Sequence, residues 1–377
     1  MKKIVTVLGL IMILASGILL GSMAVQSVKN SFQDYLYEDK VGQPETVTED
    51  TSVEESKVVK SNHGNGNSAD SNTEDSNLDS NTEDSNLEES EDSQTGDSES
   101  VEVISAAVSA LNIVNPVINI EATNAILFEC ETGKVLYHKS AMVPIYPAST
   151  TKLMTALVAL ELCDITEEVT IGEEVGFIAS DSSRAYLREG QRLTLQMLLE
   201  GALVPSGNDA AYAIAAYGGR KILKDKNADA KIAIKAFVNR MNQKAEELGL
   251  ISTNFKNPDG YDEDGQYTTA YDMGIIAMEA IKSLTIRVIS GKSSARNIFL
   301  SGEDVTWKTS NKLINAGSGM YYKYAIGLKT GTSSHAGRCL VSAAEKDGKK
   351  YISVVMNSTS AGRWEDSINL LSYGIEH

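Results

Sequence analysis

A serine three residues ahead of a lysine, in Ser149-Thr150-Thr151-Lys152, is the first candidate for chemistry in this 377-residue chain. A serine hydroxyl is a poor nucleophile until a base takes its proton. At a helix start, residues i and i+3 stand one turn apart on a single face, so Lys152 can reach Ser149 Oγ. The lysine acts as a base only when partly neutral, a state that burial and nearby positive charge promote. Lys329, in Lys329-Thr330-Gly331, can supply that charge and hold a substrate carboxylate. Between the two motifs lies Ser206-Gly207-Asn208. Ser206 suits a proton relay to a leaving amine, and Asn208 suits orienting Lys152 or a substrate amide. Gly331 has no side chain, so a substrate backbone can lie along that strand. The backbone N–H groups of Ser149 and Thr332 are expected to form an oxyanion hole.

Each motif alone is weak. On the order of one serine-x-x-lysine arises by chance in a chain this long. Taken alone, Ser149 would be read as a helix N-cap and Lys152 as a solvated side chain. Ser-x-Asn occurs three times, at Ser206, Ser252 and Ser367. Order and spacing select Ser206, which lies 57 residues after Ser149 and 123 before Lys329. His63, His138, His335 and His377 form no HExxH pattern and no convincing Ser–His–Asp set, so neither a zinc hydrolase nor a classical triad is expected. No metal and no cofactor is expected, and His335 reads as a loop histidine. Cys130, Cys163 and Cys339 form no CxxC pair and read as buried or free thiols rather than a disulfide.

The motifs need a scaffold. Strands are expected at 124–129 and 135–138, around the turn Glu131-Thr132-Gly133-Lys134. After Lys152, the apolar residues Leu153, Ala156, Leu157 and Leu160 recur at i, i+3, i+4 and i+7, one face of a helix. Further helices are expected at 193–203, 208–217, 228–248 and 271–283, the last opened by Thr269 and Asp272 as a capping box. Strands at 323–330, 337–345 and 350–356 and a helix at 364–372 close the chain. Strands, then helices, then strands imply one sheet with a helical insertion.

Ahead of this part, 106–377, lie two segments of different character. Lys2 and Lys3 precede an apolar run from Ile4 to Val25, long enough to span a bilayer with its N-terminus inside. Residues 1–28 therefore read as a retained single-pass anchor, with a cleaved signal peptide as the alternative. Either reading places the rest outside the cytoplasm. Residues 1–105 hold 6 Lys/Arg against 21 Asp/Glu, most of the net charge of −17. Within 29–105 the nonapeptide DSNTEDSNL occurs twice in succession, at 70–78 and 79–87. So polar a segment buries too little apolar surface to offset its ordering entropy and reads as an extended, acidic stalk or spacer. No basic cluster suggests a nucleic-acid partner.

The three motifs in this order are the signature of the penicillin-recognising serine enzymes. Over roughly 120–374 the chain resembles the low-molecular-mass penicillin-binding proteins of the serine D-alanyl-D-alanine carboxypeptidase kind. The likeness extends to Tyr146–Thr155, Leu203–Ala210, Asp264–Met273, Gly327–Thr332 and the pair Gly362-Arg363. It implies an α+β, β-lactamase/transpeptidase-like fold: an antiparallel sheet flanked by helices, with a helical subdomain. It also implies removal of the terminal D-alanine from peptidoglycan stem pentapeptides through an acyl-enzyme, and acylation by β-lactams. Arg363 would help recognise the substrate carboxylate. Many relatives carry a further β-rich domain and an amphipathic anchoring helix after the catalytic part. Here the N-terminal helix is expected to take over the anchoring. Thr332 stands where some relatives have histidine, so pH behaviour and substrate preference need not carry over. A class A β-lactamase would need a glutamate-bearing loop, and no ExxLN follows Ser206 before Lys329. A D,D-endopeptidase acting on cross-links would use the same serine and the same three motifs. A catalytically silent peptidoglycan-binding module would have no need of a complete catalytic set, and all its candidate members are present.

Overall fold

The computed structural model describes residues 106–377 apart from Val108. The expected anchor, 1–28, and stalk, 29–105, lie outside the described residues. Among the described residues no helix is long and apolar enough to cross a membrane.

The chain opens with a hairpin, β1 (Asn124–Glu129) and β2 (Val135–Lys139). A 3-10 turn, Ala148–Thr151, leads directly into α1 (Lys152–Leu162). Then come the short strands β3 (Glu168–Thr170) and β4 (Arg192–Thr194), and helices α2 (Leu195–Leu203), α3 (Asn208–Ile222) and α4 (Ala230–Glu247). Helices α5 (Ala270–Lys282) and α6 (Leu284–Ser290) precede a second small hairpin, β5 (Ser294–Ile298) and β6 (Asp304–Lys308). The chain ends with β7 (Ala325–Ser333), β8 (Gly337–Lys346), β9 (Lys349–Ser358) and α7 (Gly362–Glu376).

The main sheet has the order β2-β1-β9-β8-β7, and every pairing is antiparallel. Its N-terminal hairpin thus pairs with its C-terminal strand across the helical insertion. Side-chain alternation along β1 feeds two cores. Ile126 and Phe128 face the large core that includes Met273 and Ile276 of α5. Ala125 and Leu127 face a smaller core with Leu370 and Leu371 of α7. The sheet is therefore sandwiched between α5 and α7, and β7 is left as an edge strand.

Two local expectations change. The apolar stripe on α1 implied a helix buried on one face, but Leu153 through Ala159 are all buried. A helix apolar on nearly every side belongs inside the molecule, and α1 contacts α3, α4 and α5. The capping box is only half made. Thr269 accepts a hydrogen bond from Asp272 N–H at 3.0 Å. The Asp272 carboxylate instead accepts from the N–H groups of Ile251 and Ser252 and from the Thr253 hydroxyl, tying the 251–253 turn to α5. The strand pairs β3–β4 and β5–β6 and the short helix α6 were not anticipated, and β4 takes up the expected start of the helix at 193.

Candidate active site

Ser149 lies in the 3-10 turn between β2 and α1, half-buried, with Lys152 at the first position of the helix. The expected one-turn reach is made: Lys152 Nζ donates to Ser149 Oγ at 2.8 Å. The same ammonium donates to Asn208 Oδ1 at 2.7 Å and to the Asp259 carbonyl at 2.8 Å. Three acceptors match its three donors. Lys152 is completely buried. Burial brings its pKa down to about 8, against the upward pull of Asp259 and Asp209. Burial was one of the two expected causes and comes first; the like-charge repulsion with Lys329 bears on Lys329.

The backbone around the nucleophile is tightly constrained. Ala148 sits at φ 47°, a left-handed conformation that costs a non-glycine residue energy and that the surroundings must enforce. One enforcing contact is Gly260. A Cβ there would lie 1.8 Å from the Ala148 carbonyl oxygen, so only glycine lets the 257–260 turn press against the nucleophile turn. That turn also delivers the Asp259 carbonyl to Lys152 and the Pro258 carbonyl to the Thr155 hydroxyl at 2.6 Å.

Ser206 and Asn208 lie at the start of α3, on the far side of Lys152. Ser206 is itself left-handed, at φ 70°. Asp209 holds this corner together. Its buried carboxylate accepts from Ala185 N–H (2.8 Å), Leu187 N–H (2.9 Å) and its neighbour Ala210 N–H (3.0 Å), at the helix N-terminus, where negative charge is favoured. The 182–187 loop is thereby stapled to the motif. Ser182 Oγ accepts from Asn208 Nδ2 at 3.0 Å, which leaves Asn208 Oδ1 free to face Lys152.

Lys329 enters from β7. Its ammonium is buried and donates to Ser206 Oγ at 2.8 Å and to the Thr330 carbonyl at 2.9 Å. Burial, then the like charges of Lys152 and Arg363, hold it well below the ordinary lysine range. Thr330 turns to Ser310, with the two hydroxyl oxygens 2.6 Å apart. Gly331 lies against the nucleophile turn. A Cβ there would meet Ala148 Cβ, Thr150 Cγ2 and Cys339 Cβ at 3.2 Å. Its missing side chain lets β7 lie close against that turn.

At the outer end of β7, the exposed Thr332 accepts from Arg363 Nη1 at 3.1 Å and from Arg338 Nη1 at 3.3 Å. Arg363 also donates to the Gly331 carbonyl at 3.2 Å and stacks on Trp364, 4.3 Å from the ring centroid. Burial, then the like charge of Arg338, bring Arg363 down to about 10. Neither arginine has a carboxylate partner among the described residues. His335 is an exposed loop residue, as expected, with Nδ1 2.9 Å from Asp262 Oδ2. The three cysteines are unpaired; Cys163 and Cys339 are buried and Cys130 partly so.

All nine expected residues thus gather around β7, the nucleophile turn and the start of α3. Sequence reasoning missed Ser182, Asp209, Asp259, Ser310 and Arg338. Asp259 lies in Asn257-Pro258-Asp259-Gly260, a turn signal that could have been noticed, although its contribution is a main-chain carbonyl. Arg338 is directly opposite Thr332 in the β7–β8 register, which is not visible before the hairpin is paired.

A serine hydroxyl bonded to a buried, depressed lysine, with a second serine–lysine pair, Ser206 and Lys329, beside it, defines the class of serine acyl-transfer enzymes that use lysine as base. Residues 110–360 match the D-alanyl-D-alanine carboxypeptidase family, peptidase S11. The chain belongs to that family. It is 34% identical over 246 residues to the D-alanyl-D-alanine carboxypeptidase DacF of Bacillus subtilis, covering 64% of this chain and 58% of the relative. It is 35% identical over 254 residues to a D-alanyl-D-alanine carboxypeptidase of Streptomyces sp. strain K15, covering 64% and 83%. The crystal structure of the Streptomyces K15 DD-transpeptidase superposes with a TM-score of 0.63 at 33% identity, covering 70% of this chain and all of that one. The expected fold class is therefore the observed one.

Proposed function

We propose that this protein is a serine D-alanyl-D-alanine carboxypeptidase that removes the terminal D-alanine of peptidoglycan stem pentapeptides. The observation that carries this reading is the Lys152 ammonium held by Ser149 Oγ, Asn208 Oδ1 and the Asp259 carbonyl. In its neutral form Lys152 takes the Ser149 proton as Oγ attacks the penultimate carbonyl carbon. The backbone N–H groups of Ser149 and Thr332 receive the developing oxyanion. Ser206 passes a proton to the departing D-alanine amine and regains one from Lys329, which already donates to it. Water then releases the acyl group by the reverse path. The substrate backbone adds to the free edge of β7. Its terminal carboxylate meets Thr332 and the two guanidiniums of Arg363 and Arg338. β-Lactams acylate Ser149 by the same first step.

Release of D-alanine from a pentapeptide, compared with Ser149→Ala, tests the reading. Release that persists in the variant overturns it. The description of the Streptomyces K15 neighbour as a DD-transpeptidase favours a second reading, in which an amine takes the acyl group. Adding an amine acceptor and weighing the joined product against the shortened peptide separates the two.

We also propose that residues 1–28 hold the protein at the outer face of the cell membrane and that 29–105 space the catalytic part from it. The support is the charge and hydropathy pattern of the sequence. Recovery of the full chain in the soluble fraction, with its N-terminal Met intact, would contradict this.

A further inference from the structure

Helix α4 treats its cations in two ways. Near its C-terminal end, Arg240 and Lys244 pair with Glu161 and Glu247. Near its N-terminal end, Lys231 and Lys235 form no ion pair among the described residues, although the chain carries 51 acidic residues against 34 basic. Both line a cleft of about 540 Å³, within the roughly 300–1,000 Å³ span of small-ligand sites. Lys256 stands on the opposite lip, and no carboxylate lines the cleft. Its floor is built. Ile234, Val238 and Phe255 are buried there. Asn242 grips Phe255 through both of its backbone groups, donating to the carbonyl at 2.9 Å and accepting from the N–H at 2.7 Å. At one end the Lys231 ammonium lies 5.4 Å from the centroid of the Phe177 ring.

The cleft adjoins the catalytic machinery through the chain. Lys256 is three residues before Asp259, whose carbonyl binds Lys152. Phe177 is five residues before Ser182, which bonds Asn208. Tyr212, another lining residue, is one helical turn beyond Asn208. Apolar walls with three cations at the lips suit a peptide that carries carboxylates along an amide backbone.

We propose that this cleft is a second substrate site, which binds an acidic, carboxylate-bearing peptide portion of the same polymer whose D-alanyl-D-alanine end reaches Ser149. The inference rests on the carboxypeptidase reading. It adds that free carboxylates away from the scissile bond are recognised, and that Lys231 and Lys235 do so.

The test uses the full chain and a Lys231→Glu/Lys235→Glu variant with three probes. These are an acylated peptide ending in D-alanyl-D-alanine whose only carboxylate is the terminal one, the same peptide extended by two glutamates, and the extended peptide with glutamines in their place. Two reversed lip charges should lower kcat/KM for the glutamate peptide by about tenfold, mainly through KM. The short and glutamine peptides and benzylpenicillin acylation should stay within about twofold, because the one carboxylate each carries belongs at Thr332 and Arg363 and none is left for the lysines. Equal losses on all probes, or no loss on the glutamate peptide, would overturn the proposal. So would a variant that only loses binding to anionic phospholipid vesicles, which would make the cleft a membrane contact. Since the short peptide and penicillin report on Ser149 alone, failure of the cleft and failure of the carboxypeptidase reading give different results.

Discussion

The two walls of the site around Ser149 are built differently. The helical wall, formed by the nucleophile turn, α1 and the start of α3, is closed. Lys152 has all three donors engaged and is fully buried, and Asn208 and Asp209 are nearly so. The strand wall is closed at Lys329 but opens along β7, ending at an exposed Thr332 between two arginines without carboxylate partners among the described residues. Proton transfer needs the first kind of wall. Burial brings a lysine toward neutral pH, and fixed acceptors keep it aimed. Recognition of a charged chain end needs the second kind, because the carboxylate must enter from water and meet charges still free to bind it.

If that division is right, damage to the closed wall should cost most. Lys152→Ala should lower the acylation rate by about 10³-fold or more, with the circular dichroism spectrum unchanged; penicillin labelling at near-native speed would remove Lys152 from its role as base. Asp209→Ala strips three backbone N–H groups of their acceptor and should cost about 3 kcal/mol of stability, read by urea unfolding. A shift within experimental error would mean that the 182–187 loop does not depend on it.

The open wall should show graded, substrate-dependent losses. Arg363→Ala should lower kcat/KM for peptide roughly 10- to 100-fold, and Arg338→Ala, more exposed, a few-fold. Penicillin acylation should fall less in both; equal losses on the two substrates would argue against carboxylate recognition as their main work. The effect of pH is as small as that of Arg338→Ala. Lys152 must be neutral to accept a proton, and its pKa is lowered to about 8. Acylation should therefore rise with pH, about fivefold between pH 7 and 8, and level off above 9. A rate that falls over this range would assign the base elsewhere.

What could be foreseen from sequence follows the same division. Side chains at fixed short spacings were legible: Ser149 with Lys152, Ser206 with Asn208, and the Lys329–Thr332 run. So was the order of the main-sheet strands and the longer helices, because the apolar patterns of β1, β7, β8 and β9 are strong. What escaped were groups that act across the fold. Asp259 contributes a main-chain oxygen, Asp209 caps a distant loop, and Arg338 meets Thr332 only once β7 and β8 are in register. The close approach of Gly331 to the nucleophile turn also escaped, since it depends on how β7 packs against a distant segment. The hairpin β5–β6 was missed because its strands, SARNI and DVTWK, mix charged and apolar residues and only Ala295, Asn297 and Trp307 are buried.

The central claim is that Ser149 is the acyl-accepting nucleophile of a penicillin-reactive peptidase. It is tested most directly by the intact mass of the protein after incubation with benzylpenicillin, with the adduct mapped by peptide digestion and with Ser149→Ala as control. One covalent adduct, located on Ser149 and lost in the variant, is the expected result. An adduct on another residue, or none in a folded protein that also fails to consume the drug, would contradict the account.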